Sequence, residues 1–155
     1  MATFTVTASN GIVPYRLTRN AHFQEGAAQT YKYGHLVILS SGQLVKGGTD
    51  PAANTVVGVA SEDATGTQAT LVGVYAATED AEFLGTVQDT GTLSLALVGT
   101  QVGLVYDATN DIFRVDLSDS VNKRVTITRL YDAVGDVNGR VVFKFMNAAR
   151  TPFWS

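Results

Sequence analysis

The chain has 155 residues, a formal net charge of -3 and no cysteine. Its length suits one domain that buries about two-thirds of the surface exposed by the unfolded chain, and the lack of cysteine excludes disulfides and thiolate metal sites. The negative charge does not favour nucleic-acid binding, which depends on Lys and Arg to neutralise phosphates.

Only 16% of the residues are charged, while Thr, Ser and Gly are frequent. This composition is typical of strands joined by turns and disfavours long helices with a charged face. The N-terminus lacks a basic region followed by an apolar core, and no apolar run approaches the roughly 20 residues of a membrane-spanning helix. We therefore expect a soluble protein, made in a cytoplasm, that binds no membrane.

The first 20 residues favour an extended segment. Residues 3–8 alternate, with Phe4 and Val6 on the apolar side, which predicts a half-buried strand. Residues 12–15 continue in extended form because Val13 precedes a proline. Residues 16–30 show no clear period and are expected to be a loop or loose arm. Residues 1–20 therefore read either as an edge strand with its connector or as an arm that pairs with a neighbouring chain. We predict an arm over 1–20 and a β domain over 21–155 with a short aromatic tail.

The segment 31–63 is the clearest structural unit. A short apolar run at 36–39 is turned by residues 40–43 and starts back at 44–45. A loop rich in Gly and Pro then leads to a second run of branched aliphatic residues at 56–60. Runs of this length bounded by turn residues are typical of strands.

Further strands are predicted along the rest of the chain. Residues 69–76 are apolar on both faces, which favours a central strand, and residues 78–82 could form one helical turn. The other predicted strands contain Leu93, Leu95 and Leu97 in one run, then residues 104–106 and 112–115 as a hairpin, and 125–130 and 141–146 around a turn at Asn138. The total is about eight to ten short strands in a single all-β domain.

No pattern of catalytic or ligand-binding residues stands out. His22 and His35 are the only histidines, and each is better explained as a hydrogen-bonded or solvent-facing side chain than as a metal ligand. The carboxylates of residues 79, 80 and 82 are expected on a solvated face, because glycosidase carboxylates usually come from separate elements. We predict that the protein is not an enzyme and has no catalytic, metal or cofactor site.

Three segments resemble the head decoration, or cement, proteins of tailed bacteriophages. They are YGHLV at residues 33–37, GQLV at 42–45 and VVGVASED at 56–63. The segment DVNGRVVF at 136–143 is similar to the closing hairpin of that family. The similarity covers roughly a third of the chain and consists of glycines and aliphatic residues.

The resemblance implies a compact β-barrel or β-tulip-like domain. It further implies a homotrimer on the outer surface of the expanded capsid, where it cements neighbouring major capsid protein subunits. In such proteins an N-terminal arm often reaches onto the capsid. The residues expected to contact the capsid or a neighbouring subunit are Phe4, Val6, Ile12, Val13, Tyr15 and Arg16.

Two other functions are compatible with the sequence. A carbohydrate-binding β module of a phage tail or surface fibre would stack sugar rings on aromatic side chains, for which the candidates are Tyr15, Tyr31, Tyr33, Tyr75 and Trp154. A small hydrolase is disfavoured, because the chain has only two histidines and scattered carboxylates.

Overall fold

The computed structural model describes residues 11–154, with the side chain of Trp154 excepted, and this part of the chain is nearly all β-structure. The predicted all-β class is confirmed, with eleven strands in the described residues where eight to ten were expected. Two 3₁₀ turns, Leu95–Leu97 and Pro152–Trp154, accompany them. The strands are β1 (Val13–Arg16), β2 (Asn20–Gln24), β3 (Leu36–Ser40), β4 (Gln43–Lys46), β5 (Val56–Ala60), β6 (Leu71–Ala76), β7 (Glu82–Thr86), β8 (Gln101–Asp107), β9 (Ile112–Asp116), β10 (Val125–Leu130) and β11 (Arg140–Phe145).

The strands form two antiparallel sheets. The six-stranded sheet has the order β1-β7-β11-β10-β8-β9, and the five-stranded sheet has the order β2-β6-β5-β3-β4. The five-stranded sheet curls until its edge strands meet near one point, where the Gly26 N–H donates to the Leu44 carbonyl over 2.8 Å. Because the contact does not extend into a ladder, the two sheets form a compact domain but not a closed barrel.

The hydrophobic core has two parts. The larger one lies against the six-stranded sheet and includes Phe83, Phe143 and Phe145, with the rings of Phe83 and Phe145 5.2 Å apart. The smaller one includes Tyr31 and Val57 and is built on the five-stranded sheet. Every residue of β5 is buried. Full burial of each large apolar side chain contributes roughly 1.5–3 kcal/mol, so these two clusters hold the sheets in place.

The β3–β4 hairpin confirms the prediction for residues 36–45. Its two-residue turn is made by Ser41 and Gly42, which both have positive φ, as a type I′ turn requires. At the start of β3, His35 is buried and tied at both ring nitrogens: Nδ1 accepts the Lys32 N–H over 3.1 Å, so Nε2 carries the proton and donates to the Asp111 carbonyl over 2.8 Å. This bond links β3 to the tip of the β8–β9 hairpin.

Three local predictions were wrong. The segment expected to be a loop over 16–30 contains strand β2, which pairs along its whole length with β6. The run through Leu93 and Leu97 is not a strand, because it turns into a 3₁₀ segment whose Leu95 side chain is exposed. Residues 78–82 make a turn closed by the Ala81 N–H on the Thr78 carbonyl and not a helical turn.

The predicted arm is described only in its second half, since residues 1–10 lie outside the described residues. In the second half, Ile12 is fully buried in the larger core. Strand β1 pairs with β7, Val13 opposite Leu84, and forms one edge of the six-stranded sheet. Residues 12–16 are therefore integrated into the domain.

Candidate interaction surface

An exposed surface rich in tyrosine and arginine lies at the β1 edge of the six-stranded sheet. Strand β1 contributes two side chains, and the β10–β11 hairpin contributes the others. We call it the Tyr/Arg surface, and its members are Tyr15, Arg16, Arg129, Tyr131 and Arg140. Its two tyrosines are 41% and 49% exposed, so both rings are accessible to a binding partner.

The side chains of this surface stack in alternation. The Arg129 guanidinium lies 5.2 Å from the centre of the Tyr15 ring, and Tyr15 packs edge-on against Tyr131 with ring centres 6.0 Å apart. Arg140 follows, 4.8 Å from the centre of the Tyr131 ring. Cation–π and edge-to-face contacts at exposed sites each contribute about 0.5–1.5 kcal/mol. They restrict the rotamers of long side chains and so reduce the entropy lost when a partner binds.

A buried carboxylate beneath the surface fixes two of the arginines. Glu82 is only 3% exposed. Its Oε1 lies 2.6 Å from Nη2 of Arg16 and 3.3 Å from Nη2 of Arg129, and its Oε2 accepts the Thr128 hydroxyl over 3.0 Å. The expectation of a solvated face was therefore wrong for Glu82, because arginines from β1 and β10 converge on it.

The third arginine, Arg140, forms a bidentate ion pair with Asp132. Arg140 donates from Nε to Oδ2 of Asp132 over 2.8 Å and from Nη2 to Oδ1 over 2.9 Å. The hydrogen bonds that Arg140 donates to Asp132 raise the pKa of Arg140 above its usual value, so the guanidinium stays charged. With Glu82 and Asp132, the three arginines leave this region one positive charge, on a chain whose net charge is -3.

The six residues predicted to bind a partner fall into three groups. Phe4 and Val6 lie outside the described residues. Ile12 is fully buried in the larger core and Val13 is half-buried, so neither presents a full side chain to a partner in this conformation. The remaining two, Tyr15 and Arg16, are exposed and lie together in the Tyr/Arg surface.

Sequence reasoning missed the other three members, Arg129, Tyr131 and Arg140. They come from the β10–β11 hairpin, more than 110 positions after β1 in the sequence. The available signal was the Arg-x-Tyr spacing at the end of a predicted strand, which places both side chains on one face. Nothing in the sequence indicated that this face would meet Tyr15.

The surface has two features suited to binding another protein chain. Tyr and Arg are enriched among the residues that contribute most to protein–protein affinity. In addition, β1 is an edge strand with a neighbouring strand on one side only, in the part of the chain that is described. Its outward backbone groups can accept a further strand.

The histidines and carboxylates do not assemble a metal site in the described residues, where no group of three or more such side chains has suitable geometry. His35 is already engaged at both ring nitrogens. His22 is exposed on β2, where it pairs with Gly73.

The aromatic residues proposed for sugar stacking are spread over different parts of the fold. Tyr31 is 1% exposed and presents no ring face. Tyr33 packs edge-on against Tyr75 at 6.1 Å near the five-stranded sheet, whereas Tyr15 belongs to the six-stranded sheet. The side chain of Trp154 lies outside the described residues.

Comparison of the chain with protein-family profiles, with curated proteins and with solved structures found no match. Among the described residues, no helix is long and apolar enough to cross a membrane.

Proposed function

We propose that this protein is a structural component of a phage virion. It binds the outer surface of the expanded capsid as a homotrimer and cements neighbouring major capsid protein subunits against internal pressure. It is made in the host cytoplasm and acts without catalysis, cofactor, nucleic acid or membrane. The resemblance of residues 33–63 and 136–143 to phage decoration proteins motivates the proposal.

The Tyr/Arg surface is the observation that carries the proposal for a binding function. Tyr15 and Arg16 lie where the resemblance places the capsid contact, at the end of the N-terminal segment. The stack with Arg129 and the ion pair with Glu82 hold these side chains in place, which favours a role in recognition. A surface with one excess positive charge suits a partner surface that carries carboxylates.

The physical mechanism of cementing is avidity. Each copy needs to bury only a modest area across a boundary between capsid subunits, because three linked contacts per trimer act together. If the contact surface exists only on the expanded shell, binding stabilises that state by mass action. The shell then resists rupture although each single contact is weak.

Two measurements test this proposal. Size-exclusion chromatography with light scattering should give a mass near three times 16.4 kDa. Co-sedimentation should show saturable binding to expanded capsids assembled from the major capsid protein of the same genome. A monomer that does not sediment with these capsids would refute the proposal.

Variants of this protein locate the contact. Tyr15→Ala should weaken capsid binding at least about tenfold, the effect of removing one important interface residue. Tyr33→Ala is the matched control, because Tyr33 is 44% exposed but lies away from the Tyr/Arg surface. Deletion of residues 2–9 tests the predicted arm and leaves β1 in place. Equal binding by all variants would exclude the β1 edge as the contact.

A further inference from the structure

A polar cleft of about 640 Å³ opens at one end of the six-stranded sheet. It lies between the segment that follows β7, the β8–β9 hairpin and the turn before β11. Apart from Val105, its lining is polar throughout, and it includes Arg114, Asp107, Asp116, Asp89 and Asn138. It shares no residue with the Tyr/Arg surface. Its volume lies within the range of about 300–1,000 Å³ typical of small-molecule sites.

The cleft is built around a buried arginine. Arg114 is 3% exposed; its Nε donates to the Val87 carbonyl over 2.8 Å and its Nη1 to Oδ2 of Asp107 over 2.9 Å. Although burial by itself raises the pKa of Asp107, hydrogen bonds from Asn110 and the nearby Arg114 charge outweigh it and lower that pKa. Asp107 is therefore ionised at neutral pH, and its bond with Nη1 and the bond from Nε to Val87 hold the guanidinium in one orientation.

One nitrogen of this arginine has no hydrogen-bond acceptor within residues 11–154. Nη2 of Arg114 is buried and makes no hydrogen bond to any of the described residues. A buried charged donor without a partner is costly, because it has lost its hydrogen bonds to water. The Arg114 side chain lines the cleft, so a ligand bound there lies next to this arginine.

The charges of the lining restrict the class of ligand. Three aspartates face one arginine, so a free anion such as phosphate would be repelled. Oδ1 of Asp116 accepts hydrogen bonds from the N–H and the hydroxyl of Ser118, while no hydrogen bond to its Oδ2 is seen in the described residues. Asn138 accepts the Thr90 N–H through Oδ1 over 2.8 Å and donates from Nδ2 to Oδ1 of Asp89 over 3.5 Å, so the second N–H of its amide group can donate to a ligand. The ligand must therefore both donate and accept hydrogen bonds.

We propose that this cleft binds a neutral polyhydroxylated ligand, a mono- or disaccharide. A hydroxyl group is both a donor and an acceptor, so one sugar can donate to Asp116 and Asp89 and accept from Asn138 and Arg114. The site uses none of the aromatic side chains that the sequence suggested for sugar stacking. Sugar binding at this cleft would be a second function in addition to the proposed cementing, because it would let the virion surface bind glycans.

Titration followed by amide NMR tests this site. The probes are glucose, galactose, N-acetylglucosamine and maltose up to about 50 mM, a range that detects millimolar dissociation constants, with inorganic phosphate and spermidine as comparison ligands. We expect saturable shifts with at least one sugar, confined to amides around the cleft, such as those of Asn110 and Ser118. No sugar-dependent shift, or shifts with phosphate or spermidine alone, would overturn the proposal.

Three variants place the binding site. Asp116→Asn retains an acceptor for Ser118 but loses the second carboxylate oxygen, and should weaken sugar binding at least about tenfold. Thr109→Trp puts a bulky ring at an exposed position of the cleft and should block it. Asp80→Asn makes the same charge change at an exposed position that does not line the cleft and should bind like the wild type. Binding that survives both cleft variants would overturn the location.

Discussion

Replacing Glu82 with Gln tests how much the ion pairs between Glu82 and the arginines of the Tyr/Arg surface stabilise the fold. The change removes the charge that Arg16 and Arg129 share, at contact distances of 2.6 and 3.3 Å. Hydrogen bonds to charged groups contribute about 1.5–3 kcal/mol each, but the two arginine side chains are 59% and 44% exposed. Solvent screening therefore reduces each pair to about 0.5–1 kcal/mol.

We expect Glu82→Gln to lower the free energy of unfolding by about 1–2 kcal/mol, which is about 2–8 °C in Tm for a chain of this size. Urea unfolding followed by circular dichroism measures the loss. Glu79→Gln, the same change at an exposed position three residues earlier, is the control and should stay within about 0.5 kcal/mol of the wild type. The difference between the variants should shrink in 0.5 M salt.

Equal stability of the two variants would refute this reasoning. A Glu82→Gln variant more stable than the wild type would show that the cost of burying the carboxylate exceeds the gain from its arginines. In either case the Glu82 carboxylate would not stabilise the Tyr/Arg surface.

Three further changes test other parts of the fold. The hydrogen bond from the Tyr106 hydroxyl is the main reason that the pKa of Asp111 is below its ordinary value. The ionised Asp111 therefore stabilises the fold fully above the ordinary Asp pKa of about 3.9. This stabilisation is lost as the pH falls through the pKa of Asp111 in the folded protein. Asp111→Asn should therefore be less stable than the wild type at pH 7 but similar at pH 2, as urea unfolding will show. Tyr31→Phe should raise the unfolding free energy by up to about 1 kcal/mol, because this buried hydroxyl has no hydrogen-bond partner among the described residues. A lower unfolding free energy would show that the hydroxyl does form a hydrogen bond. Gly58→Ala should cost about 3 kcal/mol or more in thermal melts, since a Cβ there overlaps a backbone carbonyl of β6, whereas Gly48→Ala, with open space around it, should be neutral.

The sequence predicted best those parts of the fold that local chemistry determines. The β3–β4 hairpin was found because two apolar runs flank a turn that Ser41 and Gly42 can adopt. Strand β2 was missed because it is an edge strand with one large apolar residue, Phe23, and its backbone is ordered by pairing with β6. The leucine run failed in the opposite way: alternation was present, but Leu95 pairs with no strand of the described residues and is exposed.

The candidate surface was only partly predictable for the same reason. Tyr15 and Arg16 were selected from the sequence as members of an arm, and the fold places both on an exposed edge. Glu82 was assigned to a solvated face because it follows Glu79 and Asp80 in a predicted surface turn, while its burial depends on Arg129 from a strand far along the chain. Contacts between distant segments leave no local signal in a single sequence.

Cryo-electron microscopy of expanded capsids incubated with this protein tests the cementing proposal most directly. We expect threefold-symmetric density on the outer surface at local threefold positions, with Tyr15 and Arg129 facing major capsid protein subunits. Bare capsids, or density in which the Tyr/Arg surface faces solvent and another face contacts the shell, would contradict it.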